Sequence, residues 1–175
     1  MNGGKGQLYE GGIRVPACAW GYGVTAKGTQ CSEVMATIDI YPTLLDLAGL
    51  TPPPSHHLDG HSLVPVLNGS GSLHRDTLHW HFPSYIGRSS PCSAIRVGDY
   101  KLIEFFEGPR LELYNLRQDP NEQHNLATRE PDHAERLHQQ LQTWQQATAA
   151  AMPPGPNPNY DPSAVAKKGK KAKKS

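Results

Sequence analysis

The sequence has no apolar run near the roughly 18 residues that a membrane-spanning helix needs, so an integral helical membrane protein is excluded. Cysteine is scarce. Three residues, Cys18, Cys31 and Cys92, cannot complete a disulfide framework, and with no C-x-x-C pair among them a structural zinc ribbon is excluded. Neither G-x-G-x-x-G opening a helix nor G-x-x-x-x-G-K-[ST] is present, which removes the common nucleotide-binding loops. The start, Met-Asn-Gly-Gly-Lys-Gly, lacks the charged-then-apolar pattern of a signal peptide. Read literally, the chain is expected to stay in the cytoplasm. Positive charge is also missing from most of the chain. Six of the lysines lie in Lys167–Lys174, and removing them from the net +1 leaves −5 on residues 1–166. Such a body gives no support to nucleic-acid binding.

What is present is glycine, proline and a set of short patterned segments. Gly (17) and Pro (16) are high for 175 residues and the hydrophobic fraction is 37%, which predicts much loop around a modest core. Glycines crowd the first dozen residues, and Ile13–Trp20 reads as a short apolar strand. Ser32 is a plausible N-cap for a helix whose face is Val34, Ile38, Tyr41, Leu45 and Ala48, kinked or divided by Pro42 and stopped at Gly49. Ser62–Leu67 reads as a helical turn closed by Asn68-Gly69. Thr77–Phe82, Ala94–Val97, Lys101–Phe106 and Leu111–Asn115 read as strands, with turns at Gly98-Asp99 and Gly108-Pro109, and together predict a four-stranded antiparallel sheet. Pro131 opens a second helix with the face Ala134, Leu137, Leu141 and Trp144. From residue 151 five prolines and then the lysine repeats predict a disordered tail. The expected class is α+β, with helices segregated from a small sheet.

The densest run of candidate functional residues is Lys5-Gly-Gln-Leu-Tyr-Glu10-Gly-Gly-Ile-Arg14-Val-Pro16. A lysine among glycines presents its ammonium to an anion with the backbone close by. Gly11-Gly12 makes a helix improbable there, so Glu10 is expected to anchor a turn and Arg14 to pair with an acid. The plain alternative is a solvated glycine turn. His56, His57, Asp59 and His61 could suggest a transition metal, against the plainer reading of surface histidines in a connecting loop. His79 and His81 alternate on a strand and point to one face, where they could ligate a metal or line a partly buried polar face.

The run Gly4, Lys5, Gly6, Tyr9, Glu10, Gly11, Gly12, Arg14 and Pro16 resembles the second signature of the sulfatase family, G-K-G-x-x-Y-E-G-G-x-R-x-P. Leu58-Asp-Gly-His-Ser-Leu63, Arg96-Val-Gly-Asp-Tyr-Lys-Leu102 and Leu113-Tyr-Asn-Leu-Arg-Gln-Asp-Pro-Asn-Glu122 resemble later segments of the same family, so the likeness runs from residue 3 to about 146. It fits bacterial arylsulfatase-like enzymes best. The resemblance implies the C-terminal region of an alkaline-phosphatase-like fold. Residues 1–31 would end the catalytic domain, 32–150 would form a helix and the C-terminal sheet subdomain, and 151–175 the tail. It implies that Lys5 contacts the sulfate group, that Glu10, Gly11, Gly12 and Arg14 hold the strand delivering it, and that His81 is a secondary substrate-contacting candidate.

Departures from the family pattern bound the expectation. The nucleophile is a formylglycine made within C/S-x-P-x-R. Ser89-Ser-Pro91-Cys-Ser93 starts that pattern but has Ser93 where arginine is required, and it follows the lysine motif instead of preceding it. The family's calcium ligands need paired aspartates and an Asp-Asn pair, and neither dipeptide occurs. The chain is therefore expected to be the C-terminal portion of a sulfatase, binding neither calcium nor formylglycine itself and inactive alone. Its partner would be a sulfated small molecule or glycan once the catalytic core is present. Intact relatives are commonly exported, which leaves localisation open. Two alternatives stand beside this reading: a free-standing module that binds sulfated glycan, and an inactive truncated product exposing the Ile13–Trp20 strand edge.

Overall fold

The computed structural model describes residues 1–85, 90–155 and 157–160. The lysine run and Ser89 lie outside the described residues. The chain forms two compact units, Met1–Val15 with Asp76–Ser175, and Pro16–Arg75.

The first unit is built on a four-stranded antiparallel meander in the order β1-β2-β3-β4: β1 Thr77–Phe82, β2 Cys92–Val97, β3 Tyr100–Phe105 and β4 Arg110–Asn115. Gly98 (φ 56°) and Gly108 (φ 54°) occupy the left-handed region in the β2–β3 and β3–β4 turns, which is why glycine stands at both. The register aligns His79, Ile95, Leu102 and Leu113 across the four strands, and Trp80, Ala94, Ile103 and Glu112 beside them. Side chains alternate between faces, so these two rows look in opposite directions.

Helix α4 (Pro131–Ala147) covers the first face. Its Ala134, Leu137 and Leu141 recur at helical spacing and bury against Ile95, Leu102 and Leu113. Each buried leucine or isoleucine contributes about 1.5–3 kcal/mol on burial, which fixes the helix against the sheet. The opposite face carries Cys92, Ala94, Ile103, Phe105, Tyr114 and Leu116, and is covered by Leu8 and Tyr9 from the N-terminal segment. The segment with the densest candidate residues is thus part of the core of this unit. Asn157, within the segment expected to be disordered, donates its backbone N–H to Glu107 (2.9 Å).

The second unit holds a 3₁₀ turn at Thr37–Asp39 followed by α2 (Ile40–Leu47), and the short α3 (Val64–Leu67) closed by Gly69 at φ 73°. The expected start at Ser32 is not observed. The cap is made by Asp39, whose carboxylate accepts the Ala36 N–H (2.7 Å). Pro42 falls in the first turn of α2, where its missing N–H costs no hydrogen bond, so no kink is needed. Of the expected apolar face, Val34 and Leu45 are half-buried, whereas Ile38, Tyr41 and Ala48 are exposed, as are Ile40, Leu44 and Leu47 beside them.

Ile13–Trp20 is not a strand. Ile13 ends a helical turn, α1 (Glu10–Ile13), and residues 14–20 are irregular. An apolar run becomes a strand only with a neighbour to pair with, and Pro16 lacks one donor for such a ladder. Among the described residues no helix is long and apolar enough to cross a membrane.

Candidate functional site

The loop that carries Lys5 is closed by glycine packing. Gly11 donates its N–H to the Asn2 carbonyl (2.7 Å), which brings the start of the chain against α1. A Cβ on Gly11 would lie 2.4 Å from that carbonyl oxygen, and one on Gly12 would lie 2.0 Å from the Gln7 oxygen and 2.6 Å from that of Gly4. No side chain fits either position. This explains why a Gly-Gly pair sits inside a helical turn: the glycines are required by close backbone approach, and the turn forms despite their poor helix propensity. The helix thought improbable at this point is therefore present, and Arg14 meets Glu10 one turn away (3.9 Å).

Glu10 anchors the loop to the sheet. Its side chain is buried, and its Oε1 accepts a hydrogen bond from Lys101 Nζ at 3.0 Å. The same ammonium donates to Glu122 Oε1 at 2.8 Å, while Glu122 Oε2 accepts the Glu10 backbone N–H at 2.7 Å. Lys101 is fully buried near the start of β3. Burial pushes the Glu122 carboxyl above its ordinary value of 4.5, and the charge and hydrogen bond of Lys101 only partly offset this. Buried charges persist when paired in this way, because an unpaired one would cost several kcal/mol of desolvation.

Tyr9 makes a second anchor. Its hydroxyl donates to Glu112 Oε2 (2.6 Å), which also accepts from the Tyr114 hydroxyl (2.8 Å), while Arg110 Nε donates to Glu112 Oε1 (2.9 Å). The Tyr9 ring packs against Phe105 and Tyr114. Burial, then the Glu112 charge, pushes the phenols of Tyr9 and Tyr114 well above their ordinary range.

Held at Tyr9 and Glu10, the loop leaves Lys5 exposed, with no ion pair to a described residue. The structure thus brings Lys5, Glu10, Gly11, Gly12 and Arg14 together in one segment. His81 lies on the other face of the sheet, under α4. Both of its ring nitrogens are engaged, Nδ1 with Ser93 Oγ (2.6 Å) and Nε2 with the Ala151 carbonyl (2.8 Å). His79 stacks on Trp144 at 4.6 Å, and burial lowers its pKa. In the second unit His56 packs on Tyr41, His57 faces Asp59 at 3.2 Å, and His61 donates its backbone N–H to Asp39 at 3.0 Å. Among the described residues no group of three or more His, Cys, Asp or Glu side chains is placed to hold a metal ion.

Comparison with known proteins gives this arrangement its context. The family model described as "N-sulphoglucosamine sulphohydrolase, C-terminal" matches residues 4–147. The chain belongs to the sulfatase family. It is 38% identical over 156 residues to a sulfatase of Formosa agariphila, covering 80% of this chain and 28% of that protein. It is 37% identical over 145 residues to arylsulfatase A of Homo sapiens, covering 70% and 28%. Among solved structures it is similar to BT1596, a 2-O GAG sulfatase, with a TM-score of 0.55 and 28% identity over 64% of this chain and 25% of that one. It is also similar to BT4656 in complex with its substrate D-glucosamine-2-N,6-O-disulfate, with a TM-score of 0.51 and 30% identity over 62% and 23%. The chain spans little more than a quarter of the length of the curated relatives it matches. The sulfatase region it represents is the C-terminal one, and its α+β architecture is that of these structures.

Lys101 and Glu122 were not among the residues that sequence reasoning assigned to the site. One signal was available: Lys101 is the single cation in the otherwise apolar start of β3, where an exposed strand face would be expected to alternate.

Proposed function

We propose that this sulfatase chain supplies the sulfate-contacting lysine and the C-terminal subdomain of a sulfuric ester hydrolase. The observation that carries the reading is the state of Lys5. Its loop is fixed by glycine packing and by two buried anchors, yet its ammonium is exposed and has no ion pair among the described residues. A compact point charge held on a preorganised backbone is suited to a sulfuryl group. In hydrolysis the S–O bond of the ester breaks, the alcohol oxygen leaves, and water supplies the oxygen of the sulfate product. Lys5 stabilises the charge on the non-bridging oxygens as that exchange proceeds. Arg14 and Glu10 set the loop and touch no substrate.

The resemblance brings calcium and a formylglycine nucleophile to the intact family. The described residues of this chain do not fit a calcium site, and no step assigned to it here runs through a metal. Those groups would come from the part of the relatives that this chain does not span. The substrate class is sulfated sugars or aryl sulfates. The complex of BT4656 with a disulfated glucosamine favours the sugar, and the arylsulfatase relatives favour the aryl ester.

The test is a chimaera in which residues 4–147 replace the matching part of the Formosa agariphila sulfatase. It should hydrolyse 4-nitrophenyl sulfate, and Lys5→Ala should lower kcat by about 10²–10³-fold, the loss typical of one oxyanion-stabilising donor. A chimaera whose rate survives Lys5→Ala would overturn the assignment. The 175-residue chain by itself is expected to show no turnover.

A second reading is favoured by the core of the first unit, which covers both faces of its own sheet. A module sealed in this way could hold sulfated glycan without catalysis. Saturable binding to heparin but not to desulfated heparin, together with a cooperative thermal transition, would support it.

A further inference from the structure

Three segments far apart in sequence meet at one ammonium. Lys101 from β3 is fully buried on the sheet face that also buries Cys92, Ala94, Ile103 and Phe105. A well-packed apolar side chain at that position would avoid the desolvation of an ion and would commonly leave a fold no less stable. Its presence is explained by what it holds. Nζ donates to Glu10 Oε1 (3.0 Å) and Glu122 Oε1 (2.8 Å).

Glu122 grips both ends of the Lys5 loop. Its Oε2 accepts the backbone N–H of Glu10 (2.7 Å), and its backbone carbonyl accepts from the Asn2 side-chain amide (3.4 Å). It does so at φ 53°, a left-handed conformation uncommon for a residue with a side chain. Lys5 lies between those two attachment points. The Asn2 carbonyl, bonded to the Gly11 N–H, closes the loop on itself.

We propose that Lys101 is a positioning residue: by fixing Glu10 and Glu122 against each other it sets where the loop holds the Lys5 ammonium. The proposal rests on the reading of Lys5 as the sulfate-contacting group. Lys101 itself touches no substrate, being enclosed in the sheet.

The experiment uses the ¹⁵N-labelled 175-residue chain, with amide hydrogen exchange and a titration with inorganic sulfate followed at Gly4–Gln7. Lys101→Met is expected to speed exchange at Glu10 and Gly11 by about tenfold or more while Leu113 and Leu141 stay within about twofold, as for a local opening. It should weaken sulfate binding by about tenfold, and Lys5→Ala/Lys101→Met should bind no more weakly than Lys5→Ala, the non-additivity of residues acting through one another. Lys101→Arg keeps the charge and should restore slow exchange and sulfate binding. If Leu113 and Leu141 also lose protection in Lys101→Met, Glu122→Gln, which retains the Lys101–Glu10 pair, is judged by the same criteria. Unchanged exchange at Glu10 and Gly11 overturns the proposal. So does a loss of sulfate binding from Lys101→Met that is as large without Lys5 as with it. If Lys5→Ala alone leaves sulfate binding intact, the reading of Lys5 fails, and exchange at Glu10 and Gly11 still decides whether Lys101 fixes the loop.

Discussion

Gly12 packs against the carbonyl of Gln7 so closely that a Cβ would sit 2.0 Å from its oxygen. Backbone oxygens cannot swing aside as the tip of a side chain can, so the loop itself has to move. Gly12→Ala is expected to destabilise the first unit by about 1–3 kcal/mol, the usual cost of forcing a methyl into a filled site. Gly4 supplies the control. Nothing lies within 4 Å of a Cβ there, and Gly4→Ala should change stability by no more than about 0.5 kcal/mol. Urea unfolding of the two variants checks the contrast, and equal effects would mean that the glycine packing does not hold the loop.

The hydrogen bond from Tyr9 to Glu112 spans 103 residues of sequence and ties the same loop to β4. Tyr9→Phe leaves a half-buried carboxylate with one donor fewer, at an expected cost of about 1.5–3 kcal/mol. Burial and the Glu112 charge also hold the phenols of Tyr9 and Tyr114 protonated beyond the ordinary value of 10.0. In an ultraviolet titration of the seven tyrosines, these two should ionise last, and in Tyr9→Phe the late fraction should shrink. A Tyr9→Phe variant with an unchanged late fraction would show that the phenol is solvated.

The sheet and α4 are legible in sequence because each has a period that matches its burial. Thr77–Phe82 alternates and forms β1 with those bounds, and Ala134, Leu137 and Leu141 recur at helical steps and are buried. The loop is legible only as a likeness. Nothing local in Glu10-Gly-Gly-Ile favours a helical turn, since its cause is the approach of the Asn2 and Gln7 carbonyls. The Glu10–Lys101–Glu122 cluster is hidden for the same reason. Its members are 91 and 21 positions apart, and only the sheet register and the turn at Asp119 bring them together. Ile13–Trp20 misleads in the other direction, because apolar character is shared by strands and by segments that simply lack a partner.

Glu122 gives the first unit a pH dependence of definite sign. Burial raises its carboxyl above 4.5, so the folded chain holds this proton to higher pH than the unfolded chain does. The stability it contributes is fully present below 4.5 and is lost as pH rises through the folded value. Lys101→Met removes the offsetting charge and should move the midpoint further up. The ¹³Cδ shift of Glu122 followed against pH measures this directly. A midpoint below 4.5 would show that the Lys101 charge and the hydrogen bonds to Glu122 outweigh its burial.

In the second unit the Arg75 guanidinium forms a fork on Asp39, Nη1 to Oδ2 at 2.6 Å and Nη2 to Oδ1 at 2.5 Å, with both side chains buried. Burial alone would raise the Asp39 carboxyl, but the Arg75 fork and the backbone N–H groups of Ala36 and His61 outweigh it and hold the group below its ordinary 3.8. The folded state then binds fewer protons, so this contribution is complete above 3.8 and is lost as pH falls through the depressed value. Asp39→Ala leaves a buried guanidinium without its partner and should cost about 3–5 kcal/mol, whereas Asp39→Ala/Arg75→Met should cost less than the sum of the two single changes. Amide exchange at His61, whose N–H bonds Asp39, and at Leu63, whose N–H bonds Thr43, reports on this unit by itself. Protection at both sites should fall in acid and in Asp39→Ala. Additive single and double variants, with protection unchanged down to pH about 2, would show that the pair is solvated and contributes little.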